Sequence, residues 1–300
     1  MSLEAGSEKL PQKYTVRIER ITKETEDSKA YIFVPIGNSQ GMFDYMPGGF
    51  FMIEAEIERP ESLKFDPKVK GIVESGKTVR VKERKAYSAV SSPTEKDQIE
   101  LLVKSERGVF APYFLEQAKV GDLCTLDGPQ GKFMKKLFES NENEVCCWSA
   151  GSGIPSTMSL MRYKLDKGLE TKITVFDSNK TTADIIYLSR IKELVKKSAD
   201  FKAVFTVTRE TPDVFPKSED SSIIFRSGRF WPEGENTLEK YASNSWLKTF
   251  NTICGSSTFI NGKGRDEQGR VAKIGMGIED NLLGVGVPEH KIDKDQYYLL

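Results

Sequence analysis

Hydrophobic and polar positions follow two different rhythms along this chain. In the first half they alternate, as in Tyr14-Thr15-Val16-Arg17-Ile18-Glu19, where every second side chain would face a core. Segments rich in β-branched and aromatic residues predict strands over 14–21, 30–34, 50–57, 77–81 and 98–103, separated by Gly, Pro and Asp. One helix is predicted around 112–118. Short strands at this spacing suggest a closed barrel or a sandwich. Past about Phe138 the rhythm changes. Glu144-Val145-Cys146-Cys147-Trp148-Ser149 reads as a buried strand, followed by a glycine turn and a helical pattern over 156–166 that Gly168 stops. Strands over 172–176, 201–208 and 249–254 then alternate with helices over 182–197 and 237–246. Such alternation predicts a parallel sheet with right-handed crossovers. The expected architecture is a β-barrel domain over 10–138 followed by a doubly wound α/β domain over 139–300.

The turn Ser149-Ala150-Gly151-Ser152-Gly153-Ile154-Pro155-Ser156 sits where a strand ends and a helix begins. Glycines there let backbone approach a ligand closely, and the unpaired amides of a helix start favour a phosphate. In an open parallel sheet, ligands bind beyond the carboxyl ends of the strands, where this turn lies. The spacing is not the full G-x-G-x-x-G fingerprint, and a plain packing turn would read the same way.

Composition narrows the classes. Three hundred residues fit two domains, and 44 basic residues against 44 acidic ones give nucleic-acid binding no support. Locally the balance tips: Lys64, Lys68, Lys70, Lys77, Arg80, Lys82, Arg84 and Lys85 face only Asp66, Glu74 and Glu83 between 62 and 85. A solvated hairpin explains this as well as an anion-binding face does. Cys124, Cys146, Cys147 and Cys254 have no metal-ligand spacing, and the single histidine, His290, argues against a Ser-His-Asp triad. No metal site is expected. The start Met-Ser-Leu-Glu-Ala-Gly-Ser-Glu has neither an apolar run nor a basic leader, and no stretch approaches the ~20 apolar residues of a membrane span. A cytoplasmic protein with reduced thiols is the expectation.

Several fragments, in order, resemble the ferredoxin–NADP reductase family. Arg84-Lys85-Ala86-Tyr87-Ser88-Ala89-Val90-Ser91 resembles its flavin motif, R-x-Y-S-x-x-S or T. The resemblance implies Tyr87 against the isoalloxazine ring and Ser88 near its reactive nitrogen. Lys85 stands where the family has arginine, and either Arg84 or Lys85 could meet the pyrophosphate. Leu102-Val103-Lys104 resembles the strand bordering the flavin. Gly108-Val109-Phe110-Ala111 resembles the segment whose amides hold the pyrophosphate, with Ala111 in place of a hydroxyl, and Gly128-Pro129-Gln130-Gly131-Lys132-Phe133 matches the G-P-x-G-x-F linker. In the second half, Gly151, Ser152, Gly153, Ile154 and Pro155 resemble the nicotinamide-dinucleotide loop. Phe176-Asp177-Ser178-Asn179-Lys180 falls where the family carries an aromatic-Gly-Asn-Arg type of sequence. Thr208-Arg209 stands where NADP-using members carry a Ser-Arg pair for the 2′-phosphate. Cys254-Gly255 resembles the cysteine motif at the hydride-transfer position, and Asp295-Gln296-Tyr297 the terminal acid-x-aromatic pattern, with Tyr298 as understudy to Tyr297.

The resemblance implies a six-stranded, Greek-key, antiparallel flavin barrel and a nucleotide domain. Its cofactors would be FAD and NADP(H) or NAD(H), and Ser88, Cys254 and Tyr297 would assist hydride transfer. The electrons would pass to a one-electron acceptor, an acidic ferredoxin or flavodoxin docked on the basic hairpin at 62–85. The alternatives are the reductase component of an oxygenase, the electron-transfer subunit of a multisubunit oxidoreductase, and a binding module that has lost its flavin. Two stretches depart from the family: a longer segment at 59–81 and a polar insertion at 261–269.

Overall fold

The computed structural model of the chain describes residues 11–37, 43–66, 71–105, 110–140, 142–217, 220–242, 246–265 and 270–297. They divide between Gly131 and Lys132 into two units, each with its own hydrophobic core.

The first unit is built on β1 (Gln12–Thr25), β2 (Ser28–Pro35), β3 (Phe50–Asp66), β4 (Gly71–Ser88) and β5 (Ile99–Lys104), followed by α1 (Ala111–Gln117) and β6 (Leu123–Gln130). The alternation read in β1 is real: Tyr14, Val16 and Ile18 are buried while their neighbours face solvent. The sheet order is β4-β3-β6-β1-β2-β5, and every neighbouring pair is antiparallel. Six antiparallel strands, with β6 inserted between β1 and β3, match the expected barrel domain. The sixth, β6, is absent from the sequence reading because its Gly128-Pro129 end reads as a turn.

The two edge strands meet at one place. Ala89 bridges Leu101, and the Val90 amide donates to the Glu100 carbonyl at 2.9 Å. Past that bridge no further β4–β5 ladder forms among the described residues, and Tyr87 packs against the core cluster that holds Val103. At the other end β3 and β4 outrun the barrel. Their ladder continues to Asp66–Gly71, whereas β3 last pairs with β6 at Glu54–Thr125.

The second unit contains α2 (Lys135–Glu139), β7 (Glu144–Ala150), α3 (Ile154–Lys167), β8 (Lys172–Asn179), α4 (Leu188–Lys197), β9 (Phe201–Val207) and β10 (Ile223–Ser227). After these come α5 (Thr237–Tyr241), β11 (Phe250–Ser256), α6 (Ser257–Asn261), β12 (Lys263–Arg265), β13 (Val271–Lys273), α7 (Ile278–Gly284) and β14 (Ile292–Tyr297). Six strands form a wholly parallel sheet in the order β10-β9-β8-β7-β11-β14. From β7 the chain winds outward through β8, β9 and β10, then returns to lay β11 on the other side of β7. The β7–β11 boundary is therefore the topological switch point, where doubly wound sheets open a crevice.

Helix α3 runs as the periodicity predicts and stops at Gly168, which takes the left-handed conformation at φ 61°. The helix expected over 182–197 is broken. The Thr181 hydroxyl donates to the Asp184 carboxylate at 2.7 Å and caps a single turn, and Tyr187 at φ 60° then redirects the chain into α4. From the insertion at 261–269, β12 pairs with β13 just beyond it in a two-stranded ladder, and residues 266–269 lie outside the described set. Among the described residues no helix is long and apolar enough to cross a membrane.

Candidate functional site

In the barrel unit, strand parity sorts the flavin-motif residues. Tyr87, Lys85 and Glu83 of β4 stand opposite Phe51, Ile53 and Ala55 of β3, which are buried. Directly opposed residues share a face. Tyr87 and Lys85 are therefore both half-buried on the core side, and Tyr87 packs beside Phe110 at 6.1 Å between ring centroids. Arg84 lies on the opposite, exposed face across from Glu54. That carboxyl is held below its usual range by a hydrogen bond from Lys82, with Lys13, Lys82 and Arg84 adding charge. Of the two cations that could meet a pyrophosphate, Lys85 shares the face of Tyr87 and Arg84 does not. Ser88 is half-buried on the Arg84 face.

The basic cluster is also resolved by pairing. Arg80 bonds Glu56 at 2.8 Å and Lys82 bonds Glu54 at 2.5 Å, whereas Glu83, an acid of the window itself, is taken up by Arg59 of β3 at 2.8 Å. Two acids on β3, outside the window that looks basic in sequence, pair with two of its eight cations. Residues 67–70 lie outside the described set.

The other residues expected to contact the flavin lie near the same β4–β5 edge. Val103 is fully buried on the edge strand β5, and Lys104 is tied to Asp27 at 2.7 Å. Ser91 is 1% exposed; its hydroxyl accepts from the Glu100 amide at 2.9 Å and lies 3.0 Å from the Tyr45 hydroxyl. It fastens the β4–β5 closure. Phe110 and Ala111 are buried where α1 begins, with no side-chain cap and no acid in the first turn. Their backbone, rather than their side chains, can face a ligand. Gly108 and Val109 lie outside the described residues, as do Tyr298 and the side chain of Tyr297, whose backbone pairs with Ser256.

In the second unit the glycine turn lies at the switch point. Gly151 follows β7 at φ 53°, and a Cβ built on it would meet nothing within 4 Å. Gly153 has ordinary dihedrals, but its Cβ would lie 2.1 Å from the Cys254 carbonyl oxygen. The turn is thus seated directly on the end of β11, so the phosphate-type loop and the Cys254-Gly255 motif are neighbours. Ile154 and Pro155 are buried beneath it, and Ser152 is half-buried.

One row of polar side chains crosses the sheet under this turn. Asp295 pairs in register with Cys254, Cys254 with Ser149, and Ser149 with Asp177. Burial pushes the Cys254 thiol well above its usual 9.0, the Asp295 charge adds to this, and the Ser156 hydroxyl opposes it. The thiol is therefore protonated at neutral pH, a polar wall rather than a nucleophile. It points at the Asp295 carboxyl 3.9 Å away, which burial and the Asp293 charge raise above 3.8.

Further out, Thr208 and Arg209 are exposed past the end of β9. The Arg209 amide donates to the Lys180 carbonyl at 2.8 Å, which brings these two exposed cations together. Arg229, missed in the sequence reading, is also exposed. Val207 pairs with Ser227, so Arg229 follows β10 at the same register at which Arg209 follows β9. A lone arginine two residues after a short edge strand carries no signal until that register is known.

The residues present fit both cofactors. A half-buried aromatic ring and a cation share one face near the β4–β5 edge of the barrel, and an uncapped helix start offers amides. Open space above Gly151 leaves room for a phosphate that a side chain would fill.

Comparison with known proteins agrees with these two units. Residues 72–134 match the family described as the oxidoreductase FAD-binding domain, and residues 148–224 match the oxidoreductase NAD-binding domain. The reductase component of phenol 2-monooxygenase from Pseudomonas sp. strain CF600 is 28% identical over 43% of this chain and 36% of its own length. The reductase component of propane 2-monooxygenase from Mycolicibacterium smegmatis is 23% identical over 68% of this chain and 51% of its own length. The chain thus spans roughly a third to a half of these curated relatives. In fold it resembles the FAD/NAD-binding domain of nitric oxide dioxygenase from Vibrio cholerae, with a TM-score of 0.67 and 17% identity over 95% of this chain and 98% of that one. It also resembles a ferredoxin NADP+ reductase from Neisseria gonorrhoeae with bound FAD and NADP, at a TM-score of 0.57 and 15% identity over 98% and 100% of the two chains. The chain thus joins an oxidoreductase FAD-binding barrel to an oxidoreductase NAD-binding α/β domain, on a fold shared with ferredoxin NADP+ reductase.

Proposed function

We propose that this chain is an NAD(P)H-dependent flavoprotein that passes electrons to a separate redox partner. The observation that carries this reading is the seat of Gly153 on the Cys254 carbonyl, which joins a phosphate-type turn to the cysteine motif at the switch point. When bound, the flavin accepts a hydride from the nicotinamide and releases electrons singly. The protein's own contribution is orientation. Lys85 faces the flavin pyrophosphate, Tyr87 offers a flat surface, and the amides of the Gly151 turn and of α3 hold the dinucleotide phosphates. Arg209, Lys180 and Arg229 favour the 2′-phosphate of NADPH over NADH. The partner is an oxygenase component or a small acidic redox protein such as a ferredoxin or flavodoxin. The oxygenase reading is favoured by the monooxygenase reductase components among the relatives.

The direct test is the visible spectrum of the purified protein before and after anaerobic addition of NADPH, then NADH. A two-banded flavin absorbance bleached faster by NADPH is expected; a colourless protein that takes up no added FAD overturns the reading. Parity adds a sharper prediction. Lys85→Ala weakens FAD binding about tenfold or more, because a charge-assisted contact to phosphate is lost. Arg84→Ala, on the solvent face, leaves it within about twofold, as exposed pairs contribute little. FAD titration of the apoprotein reads both, and equal losses would reject the assignment.

A further inference from the structure

A carboxylate that no dinucleotide could touch lies buried under the glycine turn. Asp177 is 1% exposed, and Ser149 and Asn179 beside it are buried as well. The Ser149 hydroxyl donates to one carboxylate oxygen at 2.6 Å, and the Asn179 side-chain amide donates to the other at 2.5 Å. Enclosing a carboxylate this completely is costly unless such charge-assisted bonds offset the lost water.

Each partner leads to a different part of the candidate dinucleotide site. Ser149 precedes Gly151 by two residues, and its backbone pairs in register with Asp177. The Asn179 carbonyl accepts from the Thr208 amide at 3.1 Å and from the Thr208 hydroxyl at 3.3 Å. Lys180, next in sequence, accepts from the Arg209 amide at 2.8 Å. One buried carboxylate is therefore bonded towards the phosphate-type turn after β7 on one side and towards Thr208-Arg209 after β9 on the other.

We infer that Asp177 is a positioning residue that fixes the spacing between the Gly151 turn and the Thr208-Arg209 corner, and so sets affinity for the phosphates of the dinucleotide. This rests on the proposed dinucleotide reading of that turn. Asp177 touches no ligand. It acts by keeping two backbone segments in register, and a displacement of about 1 Å in such elements is enough to weaken binding severely.

The experiment is steady-state and stopped-flow kinetics of the FAD-loaded full chain with NADPH and with NADH, using Asp177→Ala, Asp177→Asn and Ser149→Ala. Asp177→Ala should raise the KM for NADPH about tenfold or more, leave kcat within about threefold, and leave FAD content unchanged. Ser149→Ala, which cuts only one arm, should give a smaller shift of the same kind. Asp177→Asn should recover most of the affinity, because its amide oxygen accepts from Ser149 and the Asn179 amide can turn to accept from its nitrogen. A KM within twofold of wild type in Asp177→Ala overturns the inference. So does a fall in kcat, FAD content and melting temperature without a KM shift, which would make Asp177 merely structural. Should Asp177→Ala fail to fold, Asp177→Asn and Ser149→Ala decide: a KM shift in Ser149→Ala that Asp177→Asn lacks supports it, and unchanged KM in both rejects it. If the FAD-loaded wild type oxidises neither nucleotide, the dinucleotide reading itself falls and takes this inference with it. Turnover by the wild type with an indifferent Asp177→Ala sinks this inference alone.

Discussion

Gly153→Ala is expected to abolish dinucleotide-dependent bleaching of the flavin and to destabilise the second unit by about 3 kcal/mol or more, the upper range for forcing atoms into packed structure. The cause is space and not backbone conformation. Gly153 adopts φ −78°, which any residue tolerates, but its added methyl would meet the Cys254 carbonyl oxygen at 2.1 Å and carbon at 2.8 Å. Both are backbone atoms of a central strand, so neither can swing aside as a side-chain tip would. The first unit keeps its own core, so bound flavin absorbance should persist. Gly151→Ala is the matching control. It suffers a left-handed φ of 53° at a cost of about 1 kcal/mol, yet its methyl enters open space. That variant should fold and show a raised KM for NADPH. Denaturant unfolding followed by NADPH kinetics separates the two, and a Gly153→Ala protein with wild-type stability and turnover would disprove the seating of the turn on β11.

Trp148→Ala should cost about 4–5 kcal/mol, near the top of the range for removing a buried aromatic residue. Trp148 is fully buried and stacks on Phe176 at 3.9 Å and on Trp231 at 4.7 Å, with the edge of Phe230 at 5.4 Å. Its indole nitrogen donates to the Asn251 side chain at 2.9 Å, so truncation both opens a cavity and strands a buried acceptor. Trp231 depends on the same stack. It sits at φ 52°, a conformation that a bulky residue adopts only when its surroundings fix it. Trp148→Phe retains part of the stack but not the hydrogen bond, and should lose about half as much. The midpoint of chemical denaturation reads the series. A loss below about 1.5 kcal/mol for Trp148→Ala would mean the aromatic cluster can collapse around the gap.

These two positions also show what the sequence can and cannot reveal. The strand–turn–helix around Gly151 is legible because its signals are local: an apolar run, two glycines, then a periodic helix ended by Gly168. The need for glycine at 153 is not local, since the clashing carbonyl lies a hundred residues away at Cys254. Strand β10 went unread because five residues at a sheet edge carry too little pattern. The placement of Arg84 and Lys85 on opposite faces needed the register against β3, which sequence leaves open. Ser91 matched a flavin motif by spacing, yet its hydroxyl is engaged in closing the barrel. The Ser149–Asp177–Asn179 bonds depend on two strands lying in register, and no spacing rule announces them.

The overlong β3–β4 hairpin bears on how copies of this chain behave when crowded. A strand of 17 residues that leaves its neighbour at Glu54 exposes a row of backbone groups on which another strand could grow, the usual seed of edge-to-edge aggregation. Here that edge is blunted at successive positions. The Gln117 side-chain amide donates to the Glu58 carbonyl at 2.6 Å and accepts its amide at 2.8 Å, mimicking a partner strand for one residue. Pro60 offers no donor, and the register shift that follows it bends the ladder. The hairpin can therefore reach beyond the barrel without inviting its own kind to pair with it.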